Sequence, residues 1–201
     1  LRKEGNPIFS VIHFSGLKSV SDSKKYPLNY WEVNLSGTIN LIKVMDKYDC
    51  RNLIFSSSAT VYGEINLPPF KEEYPLNPVN PYARTKVAVE RMLTDLSNSQ
   101  KAKWNITILR YFNPIGAHSS GMLGEDPKGK PNNIFPIMLD AYIRKKKIYI
   151  YGNDWPTADG TCMRDYIHVE DLAEGHLKAL EHQIINEEKF CIINLGTGKA
   201  T

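Results

Sequence analysis

The chain has 201 residues, 42% hydrophobic and 23% charged, the balance of an ordinary folded protein, which excludes disordered and collagen-like architectures. Its 25 basic and 22 acidic side chains leave a formal charge of +3, too small and too scattered for a nucleic-acid or anionic-membrane partner. Cys50, Cys162 and Cys191 are odd in number and far apart, so neither a disulfide framework nor a metal site is expected. No apolar run approaches the roughly 18 residues of a bilayer span and the first ten residues lack a signal-peptide core, which predicts a cytoplasmic protein.

Apolar runs alternate with helical patterns along the chain. A β-branched run over 10–14 predicts the first strand, and apolar periodicity over 31–48 predicts a helix. The run over 52–56 predicts a second strand, which leads into Ser57 and Ser58. A loop rich in Pro, Gly and Asn over 64–81 precedes helix 82–96, with Pro81 at its start, and strand 106–111 follows. Near-continuous apolar character in these two strands implies burial on both faces, as in a parallel sheet. After a second long loop over 113–133 come helix 134–144, strand 148–151, helix 169–180 with Glu170 and Asp171 in its first turn, and strand 190–195. The alternation is that of an α/β fold. Both long loops exceed what a connection requires and are candidate site loops. The strand close behind Leu1 and the glycine turn Gly196-Thr197-Gly198 suggest a piece of a longer chain.

Tyr82 and Lys86 are four apart at a helix start, hence on one face about a turn from each other. A tyrosine ionises near pH ~10, so a phenol working as a base near neutrality needs a cation to favour the phenolate. A surface tyrosine lying over a lysine stem has the same spacing. Ser58 is the second feature. A hydroxyl at the carboxyl end of a parallel strand points into the crevice where open α/β sheets bind ligands, although three serines also make a polar turn with a helix cap. One serine, one tyrosine and one lysine converging near a nicotinamide would form a hydride-transfer site.

Four segments carry a resemblance, in order: Val11-Ile12-His13-Phe14-Ser15-Gly16-Leu17-Lys18, Phe55-Ser56-Ser57-Ser58-Ala59-Thr60-Val61-Tyr62-Gly63, Arg110-Tyr111-Phe112-Asn113-Pro114 with Gly116-Ala117-His118, and Arg164-Asp165-Tyr166-Ile167-His168-Val169. Together with Pro131-Asn132-Asn133 and Gly152-Asn153-Asp154, they closely resemble the UDP-glucose 4-epimerase family of extended short-chain dehydrogenases/reductases. The resemblance implies a partial NAD-binding Rossmann-like parallel sheet with helices on both faces over 1–114, without the glycine-rich βαβ start that binds the NAD pyrophosphate. It implies part of a smaller nucleotide-sugar-binding region over 115–201, with 165–201 a candidate to pack back on the Rossmann domain.

Carried over residue by residue, the resemblance places Phe14, Ser15, Gly16, Leu17 and Lys18 along the NAD site, with Asn34 and Phe112. Ser58 matches the catalytic serine and Tyr82 the catalytic base, both touching substrate and cofactor. Lys86 matches the residue that binds the nicotinamide ribose and lowers the tyrosine pKa. Asn113, Asn133 and Arg164 are implied for the nucleotide-sugar, with Tyr149, Ile150 and Tyr151 flanking the nucleotide. A planar guanidinium suits a diphosphate because it bonds two oxygens at once. His13, His118 and His168 read as structural. The implied activity is NAD-dependent interconversion of UDP-glucose and UDP-galactose by transient oxidation at sugar carbon 4, in galactose metabolism, by a homodimer. Alternatives are another nucleotide-sugar epimerase of the same family, acting on UDP-N-acetylglucosamine or a uronate, and a non-catalytic dinucleotide-sensing protein. Dehydration is disfavoured, since Ala59 and Thr60 stand where a 4,6-dehydratase carries its extra acid and base.

Overall fold

From the amino terminus the elements are β1 (Ser10–His13), α1 (Val20–Lys25), α2 (Pro27–Tyr30), a π-helical stretch (Trp31–Ser36), α3 (Gly37–Lys47), β2 (Asn52–Ser58) and a 3-10 turn (Ala59–Tyr62). They continue with α4 (Pro81–Ser97), β3 (Asn105–Tyr111), β4 (Asn113–Ile115), α5 (Ile134–Ile143), β5 (Tyr166–His168), α6 (Val169–Ile185) and β6 (Phe190–Leu195). The computed structural model describes residues 7–64, 68–101, 103–127, 129, 131–185 and 189–201. Residues 65–67 of the first long loop, 128 and 130 of the second, and 1–6 of the expected Rossmann region lie outside the described residues. The chain forms two units, one of Leu1–Tyr111 with Glu174–Leu195 and one of Phe112–Ala173 with Gly196–Thr201.

In the first unit four strands pair in parallel in the order β1-β2-β3-β6. Ser58 stands opposite Tyr111, and Tyr111 opposite Leu195, so three strands present their carboxyl ends at one level. The apolar runs of β2 and β3 are buried on both faces, as their composition predicts. Leu53, Phe55, Ile106 and Ile108 pack with Ile42 and Met45 of α3, Val89 and Leu93 of α4, and Trp104. Ile54 and Leu109 point the other way and meet Ala179 of α6. Each such fully buried aliphatic side chain contributes on the order of 1.5–3 kcal/mol. Helices therefore cover both faces of a Rossmann-like sheet.

The second unit pairs β4 with β5 in parallel, Asn113 opposite Tyr166. Asp165 accepts from the Thr197 and Gly198 backbone N–H groups at 2.8 Å each, and Arg164 and Thr201 exchange both of their backbone hydrogen bonds. The strand expected over 148–151 does not form. Those residues are irregular and exposed, Tyr151 at 91%, because the alternating Ile-Tyr-Ile-Tyr pattern is local whereas a strand needs a partner, and none pairs with it among the described residues. Conversely β4 and β5, three residues each, are too short to show a period, and α1 carries a polar sequence held by its Ser19 cap. Cys50 is buried and Cys162 exposed, and no disulfide joins the cysteines among the described residues. No helix among the described residues is long and apolar enough to cross a membrane.

Candidate active site

Ser58 closes β2 in extended conformation, and its hydroxyl accepts from the Thr60 N–H and hydroxyl at 3.3 and 3.0 Å, turning the chain into the 3-10 segment. Helix α4 begins where Asn80 accepts from the Ala83 N–H at 2.9 Å and Pro81 occupies the first turn, so Tyr82 emerges at the helix mouth. The Ser58 hydroxyl lies near enough to the Tyr82 phenol to favour its ionised form. One turn along, Lys86 is buried, and its Nζ donates to the Ser56 carbonyl at 2.7 Å, 4.9 Å from the Phe55 ring centroid and 5.9 Å from that of Tyr82. Ser58, Tyr82 and Lys86 thus come together at the carboxyl end of the sheet.

Burial dominates the electrostatics of this cluster. It lowers the Lys86 ammonium to about 8, with the Glu90 carboxylate opposing it. It raises the Tyr82 phenol above its ordinary value, helped by Tyr30 and opposed by the Ser58 hydroxyl. The expected lowering of Tyr82 by Lys86 is absent because taking a phenolate out of water costs more than the ammonium returns at this separation. Tyr111, at the end of β3, is pushed up to about 12 by burial first, with Ser56 opposing and Tyr82 adding to the rise, and its hydroxyl lies 2.5 Å from His176 Nε2.

The loop after β1 lies on the same unit. Phe14, Ser15, Gly16, Leu17 and Lys18 are all exposed. Asn34, buried on the π-helical stretch, accepts from the Leu17 N–H at 2.7 Å and donates to the Leu17 carbonyl at 3.0 Å and to Thr85 at 3.1 Å. Its amide therefore pins this loop to α4, one residue from Lys86. Gly16 has φ +157°, and a Cβ there would lie 3.0 Å from the Asn34 side-chain oxygen, so a side chain would push the loop off its anchor.

The model of the NAD dependent epimerase/dehydratase family matches residues 4–196. The chain belongs to this family. It is similar to the UDP-glucose 4-epimerase of Dictyostelium discoideum, 50% identical over 98% of this chain and 57% of that protein. A solved UDP-glucose-4-epimerase from Stenotrophomonas maltophila, with bound NAD and formylated UDP-arabinopyranose, is 42% identical with a TM-score of 0.91, over 96% of this chain and 57% of that one. Another from Bifidobacterium longum, in complex with NAD+ and UDP, is 46% identical with a TM-score of 0.90, over 98% and 58%. The chain spans a little over half the length of these epimerases.

The second unit of this family member gathers Asn113, Asn133 and Arg164 around one cavity of about 230 Å³, together with Glu125, Cys162 and Tyr166. Asn133 donates to Glu125 at 3.0 Å, and Arg164 donates to the Met163 carbonyl at 2.8 Å. Tyr149, Ile150 and Tyr151 do not line that cavity and stand exposed on the irregular segment. Phe112 packs beside Gly196, where a Cβ would come within 2.9 Å of its ring. Among the histidines, His13 is buried 2.9 Å from the Thr38 hydroxyl, with its pKa lowered by burial and then by Lys86. His118 bonds Ser120, and His168 accepts from the Glu170 N–H. Sequence reasoning passed over Glu90 and Arg110, a buried ion pair beneath the cluster. A signal was present in both: Glu90 repeats the Tyr82–Lys86 spacing once more, and Arg110 interrupts an apolar central strand.

Proposed function

We propose that the protein carrying this chain interconverts UDP-glucose and UDP-galactose by transient oxidation at sugar carbon 4, using NAD as a recycled cofactor. The observation that carries this reading is the meeting of Ser58, Tyr82 and Lys86 at the carboxyl end of a parallel sheet, with Lys86 bonded to the Ser56 carbonyl and one turn beyond Tyr82 on the same helix. The likeness to epimerases solved with NAD and with UDP supports the cofactor and the nucleotide. The residues present fit NAD: the exposed 14–18 loop offers backbone and an apolar Phe14, Gly16 leaves the Asn34 anchor uncrowded, and Lys86 offers a cation to ribose hydroxyls.

NAD supplies, when bound, an acceptor that takes a hydride and returns it. Tyr82 moves the proton of the sugar 4-hydroxyl, and Ser58 hydrogen-bonds that oxygen and holds it in line. Because burial raises the phenol, Tyr82 is protonated near neutrality and holds the proton that a 4-keto oxygen needs, and the Lys86 ammonium is the positive charge available to assist ionisation of the phenol as that proton leaves. Asn113, Asn133 and Arg164 hold the nucleotide-sugar from their shared cavity, the guanidinium facing the diphosphate. A homodimer in the cytoplasm completes the reading, and sedimentation of the protein at its natural length tests the dimer.

Substrate carrying deuterium at sugar carbon 4 tests the reaction. The protein at its natural length should turn labelled UDP-galactose into UDP-glucose without added reductant and with the label kept in product. Label lost to solvent, or free NADH accumulating in step with substrate, would overturn the reading. Turnover of UDP-N-acetylglucosamine in the same assay would widen the substrate range.

A further inference from the structure

Beneath Ser58, Tyr82 and Lys86 lies a buried polar network. Glu90 and Arg110 are each 2% exposed, with Nη2 to Oε2 at 2.7 Å and Nε to Oε1 at 3.2 Å. Ser57, the residue before Ser58, donates to Glu90 Oε1. Arg110 Nη1 donates to the Tyr62 hydroxyl at 2.8 Å and to the Glu72 carbonyl at 2.9 Å, and Tyr62 donates to the Asn194 side chain at 2.6 Å. One network therefore grips the strand end before Ser58, the 3-10 turn after it, and the helix that carries Tyr82 and Lys86. Stability gives little reason for such a pair, since well-packed apolar residues in place of a buried ion pair are often as stable or more so. Its placement does give a reason.

We infer that Glu90 is a positioning residue of the reaction: clamped by Arg110 and Ser57, its carboxylate sets the approach of Ser58 to Tyr82 and supplies the counter-charge one helical turn below the Lys86 ammonium. This rests on the proposed epimerase reading. Glu90 raises the Lys86 pKa against a larger lowering by burial. The other groups facing Lys86 are Tyr82 on α4, the Ser56 carbonyl and the Phe55 ring on β2, and His13 on β1, while Arg110 on β3 reaches it through Glu90. Among the described residues facing Lys86, Glu90 is the negative charge.

The test is Glu90→Gln in the protein at its natural length, read by steady-state kinetics across pH and by NMR titration of the Lys86 side chain. The kcat should fall about 100-fold with KM little changed, the cost of a small misplacement at the reacting centre. The alkaline limb of the rate should move to lower pH, because Lys86 loses its counter-charge and gives up its proton earlier. The Lys86 midpoint, about 8 in the parent, should fall in the variant whether or not the protein turns over substrate. Glu90→Asp keeps the charge on a shorter arm and should lower kcat without moving that midpoint. If Glu90→Gln fails to fold, the double variant Glu90→Gln with Arg110→Gln removes both buried charges, and its Lys86 midpoint should still fall. An unchanged midpoint with unchanged kcat, or equal losses of activity in both Glu90 variants with no movement of the pH profile, would overturn the inference. A falling midpoint in a protein whose parent form shows no exchange at carbon 4 would uphold the counter-charge and sink the epimerase reading instead.

Discussion

At Lys86 burial and charge compete, and burial wins. An ammonium lowered from 10.5 to about 8 binds its proton more weakly in the folded chain than in the unfolded one. Stability from this group is complete above pH 10.5, declines as pH falls, and is lost below about pH 8. Between pH 7 and 10.5 the parent chain should gain about 3 kcal/mol from it, a gain that Lys86→Met abolishes. Urea unfolding of both proteins at the two ends of that range reads the difference. Parallel pH dependences would show that Lys86 is not a buried cation. Tyr82→Phe asks a different question, since it removes only the hydroxyl. In the protein at its natural length it should cut turnover ~100- to 10,000-fold and leave UDP-sugar binding nearly intact, which rate and binding measurements together can check. Near-normal turnover would remove Tyr82 from the mechanism.

Helix α4 is the element on which the site depends, because it delivers Tyr82, Lys86 and Glu90 from three successive turns. Its other residues Val89 and Leu93 are packed into the core, so its inward face is divided between chemistry near its start and packing further along. The start is fixed by Asn80, whose side chain satisfies the Ala83 N–H. Asn80→Ala should cost about 1 kcal/mol in denaturant unfolding, and Asn80→Asp, which keeps an accepting oxygen, should recover most of it. Equal losses in the two variants would mean that the cap bond does not fix this end. The π-helical stretch serves the neighbouring site loop in the same way, turning Asn34 inward to both the Leu17 backbone and Thr85 of α4.

Across the whole molecule burial is uneven. The largest fully buried side chains, among them Leu53, Ile54, Ile106 and Leu109, all lie in the first unit, whereas α5 in the second exposes Leu139, Tyr142 and Ile143 by more than half. Amide exchange should follow that division. The β2 and β3 amides should exchange only on global unfolding, and those of α5 ~100-fold or more faster, as mass spectrometry of proteolytic fragments would resolve. Uniform protection would mean that the two units unfold as one cooperative body.

The amino-acid sequence by itself determined the runs that form β1, β2, β3 and β6, the start of α4 and the shared helix face of Tyr82 and Lys86, because each depends on local properties: apolar period, a Pro at the first turn, residues four apart on one helix. Strand 190–195 has the same bounds in the structure as in the pattern, and strand 52–56 runs on to Ser58 because its serines still pair with β3. Only the tertiary structure decided the rest. Arg110 finds Glu90 across 20 residues of chain, and Asn34 finds Thr85 across 51. The segment 148–151 has a strand's pattern and no pairing strand among the described residues. The direction of the Tyr82 pKa could not be read from its spacing to Lys86, since spacing places a cation near a phenol, whereas the depth of burial, set by every chain segment packed around them, fixes what that charge is worth.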